Sequence, residues 1–218
     1  MTDQEAYKLT NDVFILIKKS KTVSDLEVIP DKLNIATKNT MSPDTYPKIE
    51  FGINKGEIQS LLEAKVIDND YNILASCQSK LLDPLTKLLY ATAWKNGDLK
   101  KIKHIIKGVV DCENQNTDQD EALVFYQFGK YLTKSPGQPI IDQHVIRAFA
   151  VYNSKDISEA KTFRQIKVLS KREKPIIGKY KKWLMSEELT KELRIVPDYC
   201  YYIDKLLFAT GKTIKSFT

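Results

Sequence analysis

The sequence predicts a mainly α-helical fold, and three observations support this prediction. First, apolar residues recur three and four positions apart over most of the chain after residue 56, as in GDLKKIKHIIKGVV (97–110). Second, helix boundaries carry the expected residues, such as Asp83 and Pro84 at one start and Gly97 at the following end. Third, 42% of the 218 residues are apolar, which suits a protein with a packed core.

The N-terminal quarter differs from the remainder of the chain. Residues 4–19 predict a first helix, with Val13, Leu16 and Ile17 on one face. Residues 21–55 are rich in Thr, Asn, Pro and Asp, and they predict loop with up to two short strands, in LEVIP and YPKIEFGI. We therefore divide the chain into an N-terminal mixed, β-containing segment (1–55) and a helical domain (56–218) whose last third is basic.

Helices with apolar faces account for most of the second region. The segments GEIQSLLEAKVI and SKLLDPLTKLLYATAWKNG predict the first two of them. The later helices are separated by polar turns and are predicted at 98–109, 121–132, 140–152 and 197–211. Asp142 occupies the N-cap position of the third of these later helices.

Composition excludes several classes of protein. No apolar run approaches the roughly 18 residues that span a bilayer, and the start MTDQEAYKLTNDVF does not resemble a secretory signal. The 3 Cys are widely spaced and only 2 His are present, so neither a disulfide framework nor a Cys- or His-rich metal centre is predicted. We expect a cytoplasmic protein without metal, cofactor or membrane partner, in which one or two Cys are buried.

Positive charge is concentrated near the C-terminus. The formal net charge is +6, but residues 1–150 carry −1 and residues 151–218 carry +7. Residues 161–182 alone carry +8. Two aromatic residues, Phe163 and Tyr180, lie within this segment, and Trp183 follows it directly. This mixture of cations and aromatic residues favours binding to a phosphate backbone with stackable bases. The candidate backbone-binding residues in this basic segment are Lys161, Arg164, Lys167, Lys171, Arg172 and Lys174. The alternative is a solvated helix face that serves solubility.

The segment FGKYLTKSPGQPIIDQHVIRAF (128–149) contains the most specific motif. Its Ile141-Asp142-Gln143-His144-Val145-Ile146-Arg147 resembles the sequence around the catalytic aspartate of the helix-hairpin-helix DNA glycosylase superfamily, nearest to its 8-oxoguanine glycosylases. The resemblance implies a compact helical domain of glycosylase type and double-stranded DNA with a damaged or modified base as partner. It also implies that Asp142 is catalytic and that His144 and Arg147 lie near the DNA.

The implied chemistry agrees with the residue types. Loss of a base from its sugar develops oxocarbenium character, which a fixed carboxylate stabilises. The base must first leave the duplex and enter a pocket. Candidate walls for that pocket are Phe125, Tyr126, Tyr131, Tyr199, Tyr201 and Tyr202.

The chain also departs from the family pattern. The turn at 112–118 contains neither Gly nor Pro, whereas the hairpin of the family is glycine-rich. The family's lysine nucleophile falls near Leu123, so only Lys107, Lys130 or a more distant lysine is available to replace it. The sequence therefore predicts an aspartate-dependent DNA glycosylase. The alternatives are a non-catalytic helical nucleic-acid-binding module of a defence or regulatory system, and a helical interaction protein whose basic face meets an acidic partner. A purely structural interpretation also stays open, in which Asp142 only caps its helix, His144 bonds to backbone or water, and Arg147 pairs with an acidic neighbour.

Overall fold

A computed structural model describes residues 1–112 and 121–216. Within these ranges the chain forms twelve α-helices and no strand, apart from one isolated bridge between Ile67 and Ile73. The prediction of a mainly α fold is confirmed. The helices are α1 (Asp3–Lys19), α2 (Val23–Glu27), α3 (Ile29–Lys32), α4 (Lys55–Glu63), α5 (Pro84–Lys95), α6 (Leu99–Val110), α7 (Leu123–Leu132), α8 (Gln143–Tyr152), α9 (Ile157–Phe163), α10 (Lys174–Leu184), α11 (Lys191–Arg194) and α12 (Tyr199–Thr213).

Side-chain caps fix where several of these helices begin. The Thr2 hydroxyl accepts the Glu5 N–H, and the Glu5 carboxylate accepts the Thr2 N–H at 2.7 Å, which together form a capping box. Asn54 and Glu57 repeat this arrangement at the start of α4. Each cap satisfies backbone donors that the first helical turn leaves without an internal partner.

The prediction of short strands within residues 21–55 is wrong, because the regular structure of this segment is α2, α3 and a short 3-10 turn at Thr37–Asn39. In LEVIP, strand alternation would place Leu26 and Val28 on the same face. The structure instead buries Leu26 and Ile29, which are three residues apart, and leaves Val28 exposed. The apolar spacing in this segment is therefore helical.

The chain forms two compact units, Met1–Ile49 with Pro136–Thr218, and Glu50–Ser135. These bounds differ from the domain division that the sequence predicts, 1–55 and 56–218. That division stays a prediction. The first unit is built around α8 and α12, and α1, α9 and α10 pack against α8. Its core includes an aromatic cluster in which Phe149 lies 5.0 Å from Tyr180 and 5.9 Å from Trp183, measured between ring centroids.

Close backbone contact holds α8 against α12. A Cβ atom added to Gly211 would lie 1.9 Å from the carbonyl oxygen of His144, so only glycine permits this approach. The α8 helix, which carries the Asp142 cap, is therefore positioned by direct packing on the C-terminal helix.

The second unit is organised around α6 and α7, which also cross at glycines. A Cβ on Gly108 would lie 2.0 Å from the Tyr126 carbonyl oxygen, and one on Gly129 would lie 2.0 Å from that of Ile105. Beside this crossing, Ile58 of α4 packs with Ile106 and Val109 of α6 in a separate small core. The three cysteines are free, and Cys77 and Cys200 are buried as predicted.

Candidate functional site

Asp142 is the N-cap of α8, at the position that the sequence predicts. Its Oδ1 atom accepts the N–H groups of His144 at 2.7 Å and Val145 at 2.8 Å. Its Oδ2 atom accepts no hydrogen bond from the described residues, and the side chain is only half-buried. The carboxylate therefore caps the helix through one oxygen and leaves the other available.

A small cavity lies beside Asp142. It has a volume of about 40 Å³ and is lined by Met41, Ile140, Asp142, Val145, Tyr201, Asp204, Lys205 and Phe208. A cavity of this size holds a water molecule or two, whereas small-molecule pockets measure roughly 300–1,000 Å³. In this conformation the cavity beside Asp142 is therefore too small for an extruded base.

A second carboxylate, Asp204 of α12, lines the same cavity. It is buried and accepts the Tyr180 hydroxyl at 2.5 Å and the Ile140 N–H at 2.7 Å. Burial raises the pKa of Asp204 well above its usual range, despite these two hydrogen bonds that favour the charged form. Asp204 thus connects α10 and α12 to the turn that precedes Asp142. The sequence analysis did not identify it, although an acidic residue between apolar positions of α12 was a visible signal.

Arg147 is completely buried, which corrects its expected contact with DNA. Its Nη1 atom donates to the Gly211 carbonyl at 2.8 Å and lies 2.7 Å from His144 Nδ1, while Nη2 donates to the Ile166 carbonyl. Burial lowers the pKa of Arg147 to about 10. The side chain joins α8 to α12 and to the loop after α9, so it is structural.

His144 belongs to the same buried connection. Its ring packs edge-on against Phe208, with centroids 5.0 Å apart, and burial lowers its pKa below the usual value. The expected role of His144 in contacting nucleic acid therefore gains no support from its position. A neutral imidazole whose Nδ1 accepts from Arg147 accounts for its contacts.

Arg164 also corrects an expectation, because it lies inside the first unit. Its Nε donates to the Ile214 carbonyl at 2.7 Å, and Nη2 donates to the Met1 carbonyl at 3.1 Å. Its Nη1 atom pairs with the Asp3 carboxylate. Arg164 ties both chain ends to the loop after α9, and its burial withdraws it from a DNA-binding surface.

The other predicted cations of the basic segment lie on the surface. Lys161, Lys167, Lys171 and Arg172 are exposed, and Lys174 is half-buried. The segment's single acid, Glu173, accepts the Ser170 N–H and hydroxyl, both at 2.7 Å. Two further exposed lysines of the segment, Lys179 and Lys182, lie on α10. We call the exposed residues Lys161, Lys167, Lys171, Arg172, Lys179 and Lys182 the basic surface.

The aromatic residues near the basic surface do not form a stacking platform. Tyr180 and Trp183 are buried, and Phe163 packs against the core that contains Ala160 and Ile214. The spacing of Ile177, Tyr180 and Trp183 along α10 was a signal of this burial. Binding at this surface would therefore depend on charge.

The predicted lysine and hairpin residues belong to the second unit. Lys107 is exposed on α6. Lys130 is buried in α7, and desolvation lowers its pKa. Most of the predicted hairpin turn, residues 113–118, lies outside the described residues. Among the pocket-wall candidates, Tyr126, Tyr131 and Tyr199 are buried, so they have little surface to offer a base.

No protein-family model, curated protein or solved structure matches this chain in the comparisons with known proteins. Within residues 1–112 and 121–216, no group of three or more His, Cys, Asp and Glu side chains is arranged to hold a metal ion. Each helix in those ranges is too short or too polar to cross a membrane.

Proposed function

We propose that this protein is a helical nucleic-acid-binding module whose basic surface contacts the phosphate backbone of duplex DNA without reading its sequence. The observation that carries the proposal is the exposure of six cations within residues 161–182, while Glu173, the one acid of that segment, is held by Ser170. Lys161, Lys167 and Arg172 form no ion pair within the described residues, so phosphates need not displace an existing partner. Cations of this kind bind by releasing condensed counterions from DNA.

The size of the surface predicts its salt dependence. If about four to six phosphates are neutralised, the logarithm of the affinity falls against the logarithm of salt concentration with a slope of roughly −4 to −5. Fluorescence anisotropy with a labelled duplex of arbitrary sequence measures this slope. Two duplexes of unrelated sequence should bind with the same affinity.

Charge reversal tests where binding occurs. The triple variant Lys167→Glu, Arg172→Glu, Lys179→Glu should bind at least about a hundredfold more weakly, because each contact is lost and replaced by repulsion. A matched control reverses three exposed lysines elsewhere in the first unit, Lys8, Lys32 and Lys38. Equal loss in both variants, or affinity that does not change with salt, would rule the proposal out.

A DNA glycosylase is the second candidate function, and the unbonded Oδ2 atom of Asp142 favours it. Asp142 also lines a small, water-sized cavity. Entry of a base would require the surrounding side chains to move apart. In this proposal the carboxylate stabilises positive charge on the sugar as the base departs.

Replacement of Asp142 by Asn separates catalysis from folding. Asn caps helices about as well as Asp, so α8 should be retained while the negative charge is lost. We expect release of a damaged base from duplex DNA to stop and DNA binding to persist. The control is Asp156→Asn, at the N-cap of α9, where the carboxylate accepts the Glu159 N–H at 2.8 Å.

Base release by the wild-type protein tests the glycosylase proposal. No release from any member of a lesion panel that includes 8-oxoguanine would exclude it and leave the binding proposal intact. Borohydride trapping of a protein–DNA adduct, with Lys107→Gln and Lys130→Gln variants, shows whether an amine acts covalently.

A further inference from the structure

Helix α5, which neither proposed site uses, exposes an apolar face. Leu85, Leu88 and Leu89 are 61–66% exposed, and Leu82, just before the helix, is 83% exposed. No residue of α5 is buried. At about 100° per residue, the three helical leucines fall within an arc of about 100°, so they form one stripe. An apolar stripe without cover in the described chain indicates a surface for interaction.

The charges around this stripe are positive. Lys87 and Lys95 lie on α5, Lys80 precedes it, and all three are exposed. The only acid in residues 79–97 is Asp83, whose Oδ1 atom accepts the Thr86 N–H at 2.7 Å as the helix cap. A partner for α5 must therefore cover leucines and also supply negative charge.

We propose that α5 binds an anionic lipid surface, with its leucines at the boundary between headgroups and acyl chains and its lysines among the headgroups. Leucine on one face with nearby lysine is the composition of helices that lie in a membrane interface. Such binding requires apolar area and charge and does not require a shaped partner. Composition alone predicted no membrane partner, and the exposure of α5 is what changes that expectation.

A second copy of the chain fits the same face less well. A stable protein interface buries roughly 800 Å² from each partner and involves about 20–30 residues on each side. One stripe of three or four leucines is much smaller than this. Pairing two copies through α5 would also bring their lysines together, whereas a lipid surface with anionic headgroups attracts them.

Vesicle co-sedimentation of the full chain tests the proposal. We expect binding to phosphatidylcholine vesicles that contain phosphatidylserine and weak binding to phosphatidylcholine alone. The triple variant Leu85→Ser, Leu88→Ser, Leu89→Ser should lower partitioning at least about tenfold, since burial of a single leucine is worth that factor or more. Lys87→Gln with Lys95→Gln should lower it by an independent factor of about five to thirty.

The basic surface could also attract anionic vesicles, so two controls separate the sites. The variant that reverses the charge of Lys167, Arg172 and Lys179 should still bind vesicles through its leucines. The leucine variant should bind DNA with unchanged affinity. Both α5 variants should unfold in urea at the wild-type concentration, because none of their substituted residues is buried. Absence of vesicle binding by the wild type, or equal binding by wild type and leucine variant, overturns the proposal. Loss of a dimer in the leucine variant without any vesicle binding would assign the face to self-association instead.

Discussion

Arg147 gives the sharpest test of the structure, because the sequence and the fold assign it different roles. The motif predicts a side chain near DNA, whereas the structure places its guanidinium among the carbonyl oxygens of Gly211 and Ile166 and the ring of His144. Arg147→Met keeps most of the aliphatic volume and removes the charge and the donors. We expect this variant to lose stability and the basic surface to be unaffected.

The size of the loss follows from the contacts. Three hydrogen bonds from a charged group are worth about 2 kcal/mol each, which gives about 6 kcal/mol. Burial of the cation opposes this, since a pKa lowered from 12.5 to about 10 corresponds to about 3 kcal/mol. The net loss is therefore about 3 kcal/mol, a large part of the 5–15 kcal/mol typical of a folded domain.

Urea unfolding followed by circular dichroism measures this loss, and DNA anisotropy on the folded variant measures affinity. Lys167→Met is the matched control, because Lys167 is exposed. Its free energy of unfolding should change by less than about 0.5 kcal/mol while its affinity for DNA falls. The reverse pattern for Arg147→Met, unchanged stability with weakened DNA binding, would refute the buried position of this side chain.

Four further variants test the helix packing, the His144 side chain and the Asp142 cap. Gly129→Ala should destabilise the second unit by about 2 kcal/mol or more, because the new Cβ would lie 2.0 Å from the Ile105 carbonyl. Gly178→Ala in α10, which meets no atom within 4 Å, should raise stability by up to about 1 kcal/mol, and urea titration compares the two. The pKa of His144 is lowered in the folded state, so its contribution to stability should be present above pH 6.5 and be lost as the pH falls; His144→Gln should flatten that part of the stability–pH curve. Asp142→Ala should cost about 1 kcal/mol in urea unfolding through loss of the cap, and equal losses for Ala and Asn would contradict the capping role.

Periodicity and capping residues predicted most helices from the sequence. The start of α8 at Asp142 and the start of α5 after Asp83 follow from local rules, because an N-cap side chain bonds to backbone groups two or three residues away. The strands expected near Leu26 and Ile29 failed for a different reason. A five-residue apolar segment fits either period, and only contacts with distant residues decide between them.

Burial of long cationic side chains could not be predicted in the same way. Arg164 and Lys167 occur in one basic run, yet the first donates hydrogen bonds to carbonyl groups near both chain ends and the second faces solvent. The partners of Arg164, the carbonyls of Ile214 and Met1, are remote in sequence. A charge count treats the two residues as equal, whereas the fold separates them by the carbonyl groups that it brings within reach.

Asp142 shows why its structural and catalytic interpretations are compatible. A carboxylate has two oxygens, and the cap requires only Oδ1, which receives both N–H groups. Fixing one oxygen also orients the second, so the cap gives Oδ2 a defined position without cost to the helix. Oxocarbenium stabilisation requires a negative charge at a fixed position, which the carboxylate of a helix-capping aspartate supplies. Because Asn preserves the cap and removes the charge, measuring base release after that one substitution distinguishes a carboxylate that only caps a helix from one that also acts on DNA.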